Sequence, residues 1–249
     1  MFELVFLGTS ASAPSINRNL PAILVKHEEF RFLIDCGEGT QRQILQAGIG
    51  FKRLNRILIT HGHLDHILGL AGLISTLLRW ETIDSLEIYG GKAALNRVHD
   101  LIYGVVLRGN HTAFDLSFVP VEEGVIIEEK EFSVTAIPVQ HRGPDNFGYL
   151  FQEKGRYPFL PEKAEALNIP SGPWRRDLVN GKAITLPDGR KIKPEQVLGN
   201  YKPGTRMVVL GDVAETDTLI TYCDQADALV TEATYLESEA EMAQQFGHM

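Results

Sequence analysis

The sequence predicts a mixed α/β sandwich. Three observations predict it. Short apolar strands recur along almost the whole chain, and single helical stretches interrupt them instead of following as a block. The densest group of chemistry-bearing residues falls at the C-terminal end of a strand, where α/β proteins gather their ligands. At 249 residues, the chain is long enough for one large domain, or one domain carrying an insertion.

In chain order, LVFLG (4–8), AILVK (22–26) and RFLID (31–35) read as short strands. TQRQILQAG (40–48) has helical apolar spacing and is stopped by glycine. RILIT (56–60) is a compact buried strand that runs straight into HGHLDH (61–66), with a helix starting near His66. LGLAGLISTLLRW (68–80) is a helix, apolar over most of its surface. Strands follow at LEIYG (86–90), DLSFVPV (115–121), FSVTAIPV (132–139) and FGYLF (147–151). Further on come MVVLGD (207–212), a helix near 216–223, ALVTEA (228–233) and a final amphipathic helix, YLESEAEMAQQFG (235–247). No internal repeat breaks the pattern.

Residues 152–203 depart from this rhythm, with seven prolines and five glycines and no strong apolar period. PDGR (187–190) reads as a hairpin turn. Structureless stretches of this length inside a domain are usually functional or mobile. Two explanations fit the composition, a loose surface insertion and a binding arm. Charge bears on the choice. The whole chain carries −8, which argues against a polyanionic partner, yet residues 152–206 hold 11 Lys/Arg against 6 Asp/Glu. The segment is basic on an acidic body.

Apolar content of 44% and charged content of 22% are ordinary for a soluble globular chain. Apolar runs are too short to cross a bilayer, and MFELVFLGTS opens directly into a strand pattern without a secretory signal. Two cysteines, Cys36 and Cys223, do not make a disulfide framework. The expectation is a cytoplasmic protein with no membrane association.

The segment HGHLDH brings His61, His63, Asp65 and His66 into one strand-end turn, where they can converge on one side. Imidazole and carboxylate donors suit a borderline cation such as Zn²⁺, while Mn²⁺ and Fe²⁺ accept the same donors. An unliganded polar turn is the competing reading, and it leaves unexplained why so many mutually repelling groups would gather. Further donors are expected after other strands. His141 follows FSVTAIPVQ, Asp212 follows MVVLG and His248 follows the last helix. Five histidines and two aspartates suffice for two adjacent cations bridged by one carboxylate, and Asp212, isolated on its own loop, is the natural bridge. His27, His99 and His111 fit no ligand pattern and read as surface or hydrogen-bonded residues.

These residues resemble the HxHxDH signature of the metallo-β-lactamase superfamily. The resemblance implies a four-layer αβ/βα sandwich formed by a single domain, residues 1–249, with 152–203 as an inserted flexible arm. It implies one cation on His61, His63 and His141, a second on Asp65, His66 and His248, and Asp212 between them. Within the superfamily, LGTSASAPSINRN (7–19) followed by LIDCGEGTQRQ (33–43) is similar to ribonuclease Z, the endonuclease that trims the 3′ trailer of precursor tRNA. The Arg18–Asn19 pair carries part of that likeness. PEKAEALNIPSGPWRRDLVNGKAITLPDGRKIKPEQVLG (161–199), with its Gly172–Pro173 pair, is similar to that family's flexible arm. The resemblance implies that Arg18 and Asn19, and Gly172, Pro173, Arg175 and Arg176 in the arm, contact precursor tRNA, and that the chain forms a homodimer. It also implies two Zn²⁺ ions, Asp65 organising the attacking water and Glu232 assisting the departing group.

The chain departs from the family pattern in three places. Thr231–Glu232–Ala233–Thr234 stands where the family has His-Glu-Ala-Thr. Leu20, Pro21 and Ala22 stand where serines usually follow the Arg–Asn pair. The sequence runs one residue past His248, where the family continues, so His248 is either a ligand or a frayed terminal residue. The leading expectation is a zinc-dependent endoribonuclease leaving a tRNA 3′-hydroxyl and a trailer 5′-phosphate. The alternatives are a hydrolase of small phosphodiesters or esters, favoured by Thr231, and a metal-bearing RNA-binding protein that does not cut.

Overall fold

The computed structural model describes residues 1–81 and 83–249. The chain divides into two compact units, Met1–Phe151 with Arg206–Met249, and Gln152–Thr205. The first half of the larger unit contributes β1 (Glu3–Gly8), β2 (Ala22–His27), β3 (Phe30–Ile34), helix α1 (Thr40–Gln46), β4 (Arg56–Leu58), α2 (Leu64–Ile67), α3 (Gly69–Trp80), β5 (Ser85–Gly90), α4 (Lys92–His99) and β6 (Asp115–Pro120). Its second half contributes β7 (Gly124–Glu128), β8 (Phe132–Pro138), β9 (Phe147–Glu153), β12 (Arg206–Val209), α7 (Ile220–Cys223), β13 (Ala228–Val230) and α8 (Ala240–Phe246). The smaller unit holds α5 (Pro161–Ala166), α6 (Pro173–Val179), β10 (Ile184–Thr185) and β11 (Lys191–Ile192).

Two sheets form the larger unit, one ordered β1-β2-β3-β4-β5-β6 and the other β13-β12-β9-β8-β7. Strand alternation places their cores. Leu33 and Ile57 point to a layer of helices, where they meet Leu70, Leu73, Ile74 and Leu77 of α3. Their neighbours Phe32, Ile34 and Leu58 point the other way, to a core shared with Phe132, Val134, Tyr149 and Phe151 of the second sheet. The far face of that sheet packs Ile137, Leu150 and Val208 against Leu219 and against Tyr222 and Cys223 at the end of α7. The result is helix, sheet, sheet, helix, the four-layer αβ/βα order implied by the resemblance. Among the described residues, no helix is long and apolar enough to cross a membrane.

Several elements differ from expectation. The first helix after the histidine cluster begins at Leu64, two residues before His66, because His63 already adopts an extended N-cap conformation (φ −69°, ψ 150°). Asp65 and His66 therefore sit on a helical turn. The strand expected over 56–60 is regular only to Leu58. The final helix is shorter than 235–247, starting as a 3₁₀ turn at Glu237–Glu239 and becoming α-helical at Ala240. α4 escapes sequence reading, as does the π-helical stretch Asp100–Leu107 that continues it, and so does β7. His27 is buried between the rings of Phe2 and Phe132, while His99 lies exposed and stacks on Tyr103.

The unit Gln152–Thr205 has its own small core of Ala164, Ile169, Leu178, Ile184, Leu186, Ile192 and Val197. Its ends run antiparallel, with bridges between Arg156 and Lys202 and between Phe159 and Leu198.

Candidate metal centre

Parallel pairing of β3 with β4 (Phe32 beside Arg56, Ile34 beside Leu58) brings Asp35 and Thr60 out of the sheet together. The turn after β3 is then stitched to the ligand turn. Cys36 N donates to the His66 carbonyl at 2.7 Å, and Gly69 N donates to the Cys36 carbonyl at 2.8 Å. Gly69 is indispensable to this approach, since a Cβ there would lie 2.0 Å from the Gly37 carbonyl oxygen. His141 follows β8, Asp212 follows β12 and His248 follows α8, so four separate connections deliver side chains to one place.

Donors of His61, His63, His141 and Asp212 all lie within 4.8 Å of one another. His63 Nδ1 is 2.9 Å from His61 Nε2 and 3.3 Å from His141 Nε2. The outer hydrogen bonds fix which nitrogens carry protons. Asp35 accepts from the Thr60 hydroxyl at 2.7 Å, so that oxygen has only acceptor capacity left for His61 Nδ1 at 3.0 Å. His61 is therefore protonated at Nδ1 and turns the Nε2 lone pair inward. His141 Nδ1 donates to the Gly247 carbonyl at 2.6 Å, with the same consequence for its Nε2. Gly247 reaches this position because it ends α8 in the left-handed region (φ +70°), a conformation that favours glycine.

His66 donates from Nδ1 to Asp35 at 2.7 Å, and its buried Nε2 has no hydrogen-bond partner among the described residues. That nitrogen lies 3.5 Å from Asp212 Oδ1 and 3.7 Å from Asp65 Oδ2. Asp212 Oδ2 faces the other group, 3.5 Å from His61 Nε2 and 3.6 Å from His141 Nε2. One carboxylate thus turns one oxygen to each set of histidines. Nitrogen and carboxylate donors converging on one another, with a buried imidazole nitrogen left over, fit divalent cations of the zinc type.

His248 arrives differently. It is buried rather than frayed, and its Nδ1 lies 3.9 Å from Asp212 Oδ2 but 3.0 Å from both Glu232 oxygens. Asp212, Glu232 and His248 form a second donor group; Asp65, His66 and His248 are not gathered as one. Glu232 also accepts from Val213 N at 2.7 Å and from the Thr234 hydroxyl, so its carboxylate is largely spoken for. Asp65 is steadied by the backbone N–H of Ser12 at 3.0 Å.

The electrostatics divide the histidines. Burial, and then the His66 charge, push His61 down to about 2. Burial also lowers His63 and His141. His66 goes up to about 10, because Asp35 and Asp212 outweigh the cost of burying its charge. Burial works against the Asp212 carboxylate too, but His66 holds it well below the usual range. In the unfolded chain all these histidines titrate near 6.5. Below that pH the unfolded state binds protons that folded His61 refuses, so stability falls with pH. Metal-free protein is expected to lose roughly 2 kcal/mol between pH 6.5 and pH 5 from His61 alone. Equilibrium unfolding in chelator at the two pH values checks this, and an unchanged midpoint contradicts it.

The residues expected to touch RNA fall in both units. Arg18 is exposed and lines two clefts. One, of about 420 Å³, it shares with His66, Asp212, Thr231 and Glu232; the other, of about 510 Å³, it shares with Asn17, Asn19 and Arg42. Asn19 places Oδ1 close to Gly39, with its Nδ2 buried. In the smaller unit Gly172 (φ +113°) precedes Pro173 at the start of α6. Arg175 spends Nε and Nη2 on the Ile169 carbonyl (3.0 and 2.8 Å), whereas Arg176 is exposed with no side-chain hydrogen bond among the described residues.

Sequence reading missed Asp35, Thr60, the Gly247 carbonyl and the Glu232–His248 pair. The acid closing LIDCGEG was visible, but its importance depends on which strand lies beside β3.

Residues 2–158 match the family model described as Anti-Pycsar protein Apyc1. Ribonuclease Z of Bradyrhizobium diazoefficiens is 45% identical over 100% of this chain and 82% of its own length. Ribonuclease Z of Bradyrhizobium sp. (strain ORS 278) is 43% identical over 100% of this chain and 82% of its own. The crystal structure of human tRNase Z, short form, superposes with a TM-score of 0.68 at 23% identity, covering 100% of this chain and 83% of that one.

Proposed function

The chain belongs to the ribonuclease Z family and, over residues 2–158, to the family described as Anti-Pycsar protein Apyc1, and from that membership we propose a metal-dependent endoribonuclease that processes the 3′ end of precursor tRNA. The observation that carries this reading is the Asp212 carboxylate, with one oxygen toward His61 and His141 and the other toward His66.

His61, His63, His141 and Asp212 would hold one cation, and Asp212, Asp65 and His66 a second, with His248 at its margin; Zn²⁺ is the default and Mn²⁺ and Fe²⁺ suit the same donors. Paired divalent cations, when bound, lower the pKa of water to about 7 and offset charge building on phosphorus. The chain's own residues do the rest. Asp65, fixed by Ser12 N–H, orients the water and takes its proton. Attack at phosphorus breaks the bond to the 3′ oxygen, leaving a tRNA 3′-hydroxyl and a trailer 5′-phosphate. Glu232 acts through His248, holding that ring beside Asp212 while the departing oxygen gains its proton. Thr231, in the cleft with Asp212, is a hydrogen-bonding group there and not an acid.

The basic unit Gln152–Thr205 is assigned the tRNA body, through phosphate contacts that weaken as salt rises. A homodimer acting in the cytoplasm completes the reading. Thr231 favours a second reading, a hydrolase of small phosphodiesters, because the side chain there is not ionisable. Removal of residues 160–198 separates the two, since Gly199 N donates to the Pro158 carbonyl at 2.8 Å and the cut ends lie adjacent. The expected result is at least a tenfold loss of precursor-tRNA cleavage with small-diester hydrolysis retained. Undiminished tRNA cleavage would remove the arm from the mechanism, and failure of the full-length metal-loaded protein to cut precursor tRNA would remove the ribonuclease reading.

A further inference from the structure

We propose that Arg97 and Arg142 hold the non-bridging oxygens of the phosphodiester seated at the metal centre, an assignment that rests on the phosphodiesterase reading above. A cleft of about 510 Å³ opens on the donors, with His63, Asp65, Asp212 and His248 in its wall. Arg97 and Arg142 line the same cleft and, among the described residues, are its only permanently cationic ones.

Both arginines are supported from behind. Arg97 stands in the last turn of α4, whose Ala94, Leu95 and Val98 are buried against the first sheet. Its Nη1 donates at 2.6 Å to the carbonyl of Gly62, the residue between His61 and His63. Its guanidinium is thus tethered to the ligand turn itself, and its remaining N–H groups have no partner among the described residues. Arg142 directly follows His141 and lies over the Phe246 ring, 5.9 Å from the centroid. It has no hydrogen bond or ion pair among the described residues. The carboxylates lining the cleft are Asp65 and Asp212, both assigned to the cations.

Charge decides what such a pair is for. Two divalent cations exceed the combined charge of Asp65, Asp212 and Glu232, so two guanidinium groups at the mouth add repulsion to a site already positive. The arrangement becomes favourable when an anion sits between them and the donors. A phosphodiester fits, because a planar guanidinium fork pairs with two phosphate oxygens and keeps its charge at every working pH. The tether to Gly62 fixes one fork before substrate arrives, which lowers the entropy lost on binding.

Arg97→Ala, Arg142→Ala and the corresponding lysine variants test this, with Arg79→Ala as an exposed control. Hydrolysis of bis(p-nitrophenyl) phosphate by metal-loaded protein is read first. Binding of a single-stranded oligoribonucleotide to chelator-treated protein is read second, by fluorescence anisotropy across salt concentrations. Each alanine variant is expected to lose about tenfold in kcat/KM on the diester with unchanged metal content. In the metal-free binding assay the slope of log K against log salt should shrink by about 0.7 per arginine removed. Lysine should restore that slope while recovering little turnover, since it lacks the fork. Diester hydrolysis equal to the parent overturns the assignment. A loss confined to RNA also overturns it, by moving the arginines to a neighbouring phosphate. A fall in metal content overturns it too, by reducing Arg97 to a prop for the ligand turn. If the parent protein cleaves the diester but not RNA, the ribonuclease reading falls, and the arginines are then judged on the diester alone.

Discussion

Asp212→Ala is expected to reduce precursor-tRNA cleavage by at least about 1,000-fold, equivalent to about 4 kcal/mol of transition-state stabilisation. The size of the effect follows from position. His61 and His141 stand 3.5 and 3.6 Å from one oxygen of Asp212, and His66 stands 3.5 Å from the other. Asp212 is thus a carboxylate within 3.6 Å of ring nitrogens in both groups. Without it, the two donor sets lose their shared negative charge, and cations placed there would repel each other with nothing between them. Metal content should fall together with activity. Far-ultraviolet circular dichroism should be unchanged, because Asp212 lies on a loop after β12 and not within the apolar cores. Elemental analysis and single-turnover cleavage check both parts. Normal turnover by the alanine variant would mean that the cations, if any, are held elsewhere.

The legible part of this site was the part written in local sequence. His61, His63, Asp65 and His66 stand within six residues after a strand, and His141 and Asp212 each close an apolar run. Their meeting needed only the rule that such strand ends share one rim of a sheet. The partners behind them were not legible, because they depend on pairing between distant elements. Asp35 closes an ordinary strand and matters only because β4 lies parallel to β3. The Gly247 carbonyl matters only because α8 ends in a left-handed turn beside His141. α4 was hidden because it is short and is followed by LIYGVVL (101–107), an apolar run that imitates a strand. The core of Gln152–Thr205 was hidden for a related reason. Its apolar anchors, such as Ile169, Leu178 and Ile192, lie far apart in sequence, so no helical or strand period marks them.

Asp35→Asn is expected to weaken metal binding by roughly 10- to 100-fold, although Asp35 is not itself placed as a ligand. The carboxylate is buried and accepts three hydrogen bonds: Thr60 N at 2.8 Å, the Thr60 hydroxyl at 2.7 Å and His66 Nδ1 at 2.7 Å. Asparagine is the informative replacement. Asp35 holds φ +56°, a region asparagine tolerates, so backbone strain is not added. The amide, however, has one accepting and one donating end, while the pocket presents donors on both sides. If its oxygen serves Thr60 N, its NH₂ meets His66 Nδ1 and turns that ring's proton to Nε2, the atom aimed at Asp212 and Asp65. A ring protonated at Nε2 has no lone pair for a cation. If the amide flips, Thr60 N loses its acceptor inside the protein, at a cost of about 1–3 kcal/mol. The proton on metal-free His66 is affected as well. With Asp35 present the folded pKa is raised to about 10, so its contribution to stability is complete below about 6.5 and is lost as pH rises toward 10. In the asparagine variant that alkaline loss should shrink, because the Asp35 charge that raises the His66 pKa is gone. Competition titration with a chromogenic zinc chelator and unfolding of metal-free protein at pH 7 and pH 10 measure the two effects. Wild-type zinc affinity together with an unaltered alkaline slope would show that Asp35 neither orients His66 nor sets its protonation.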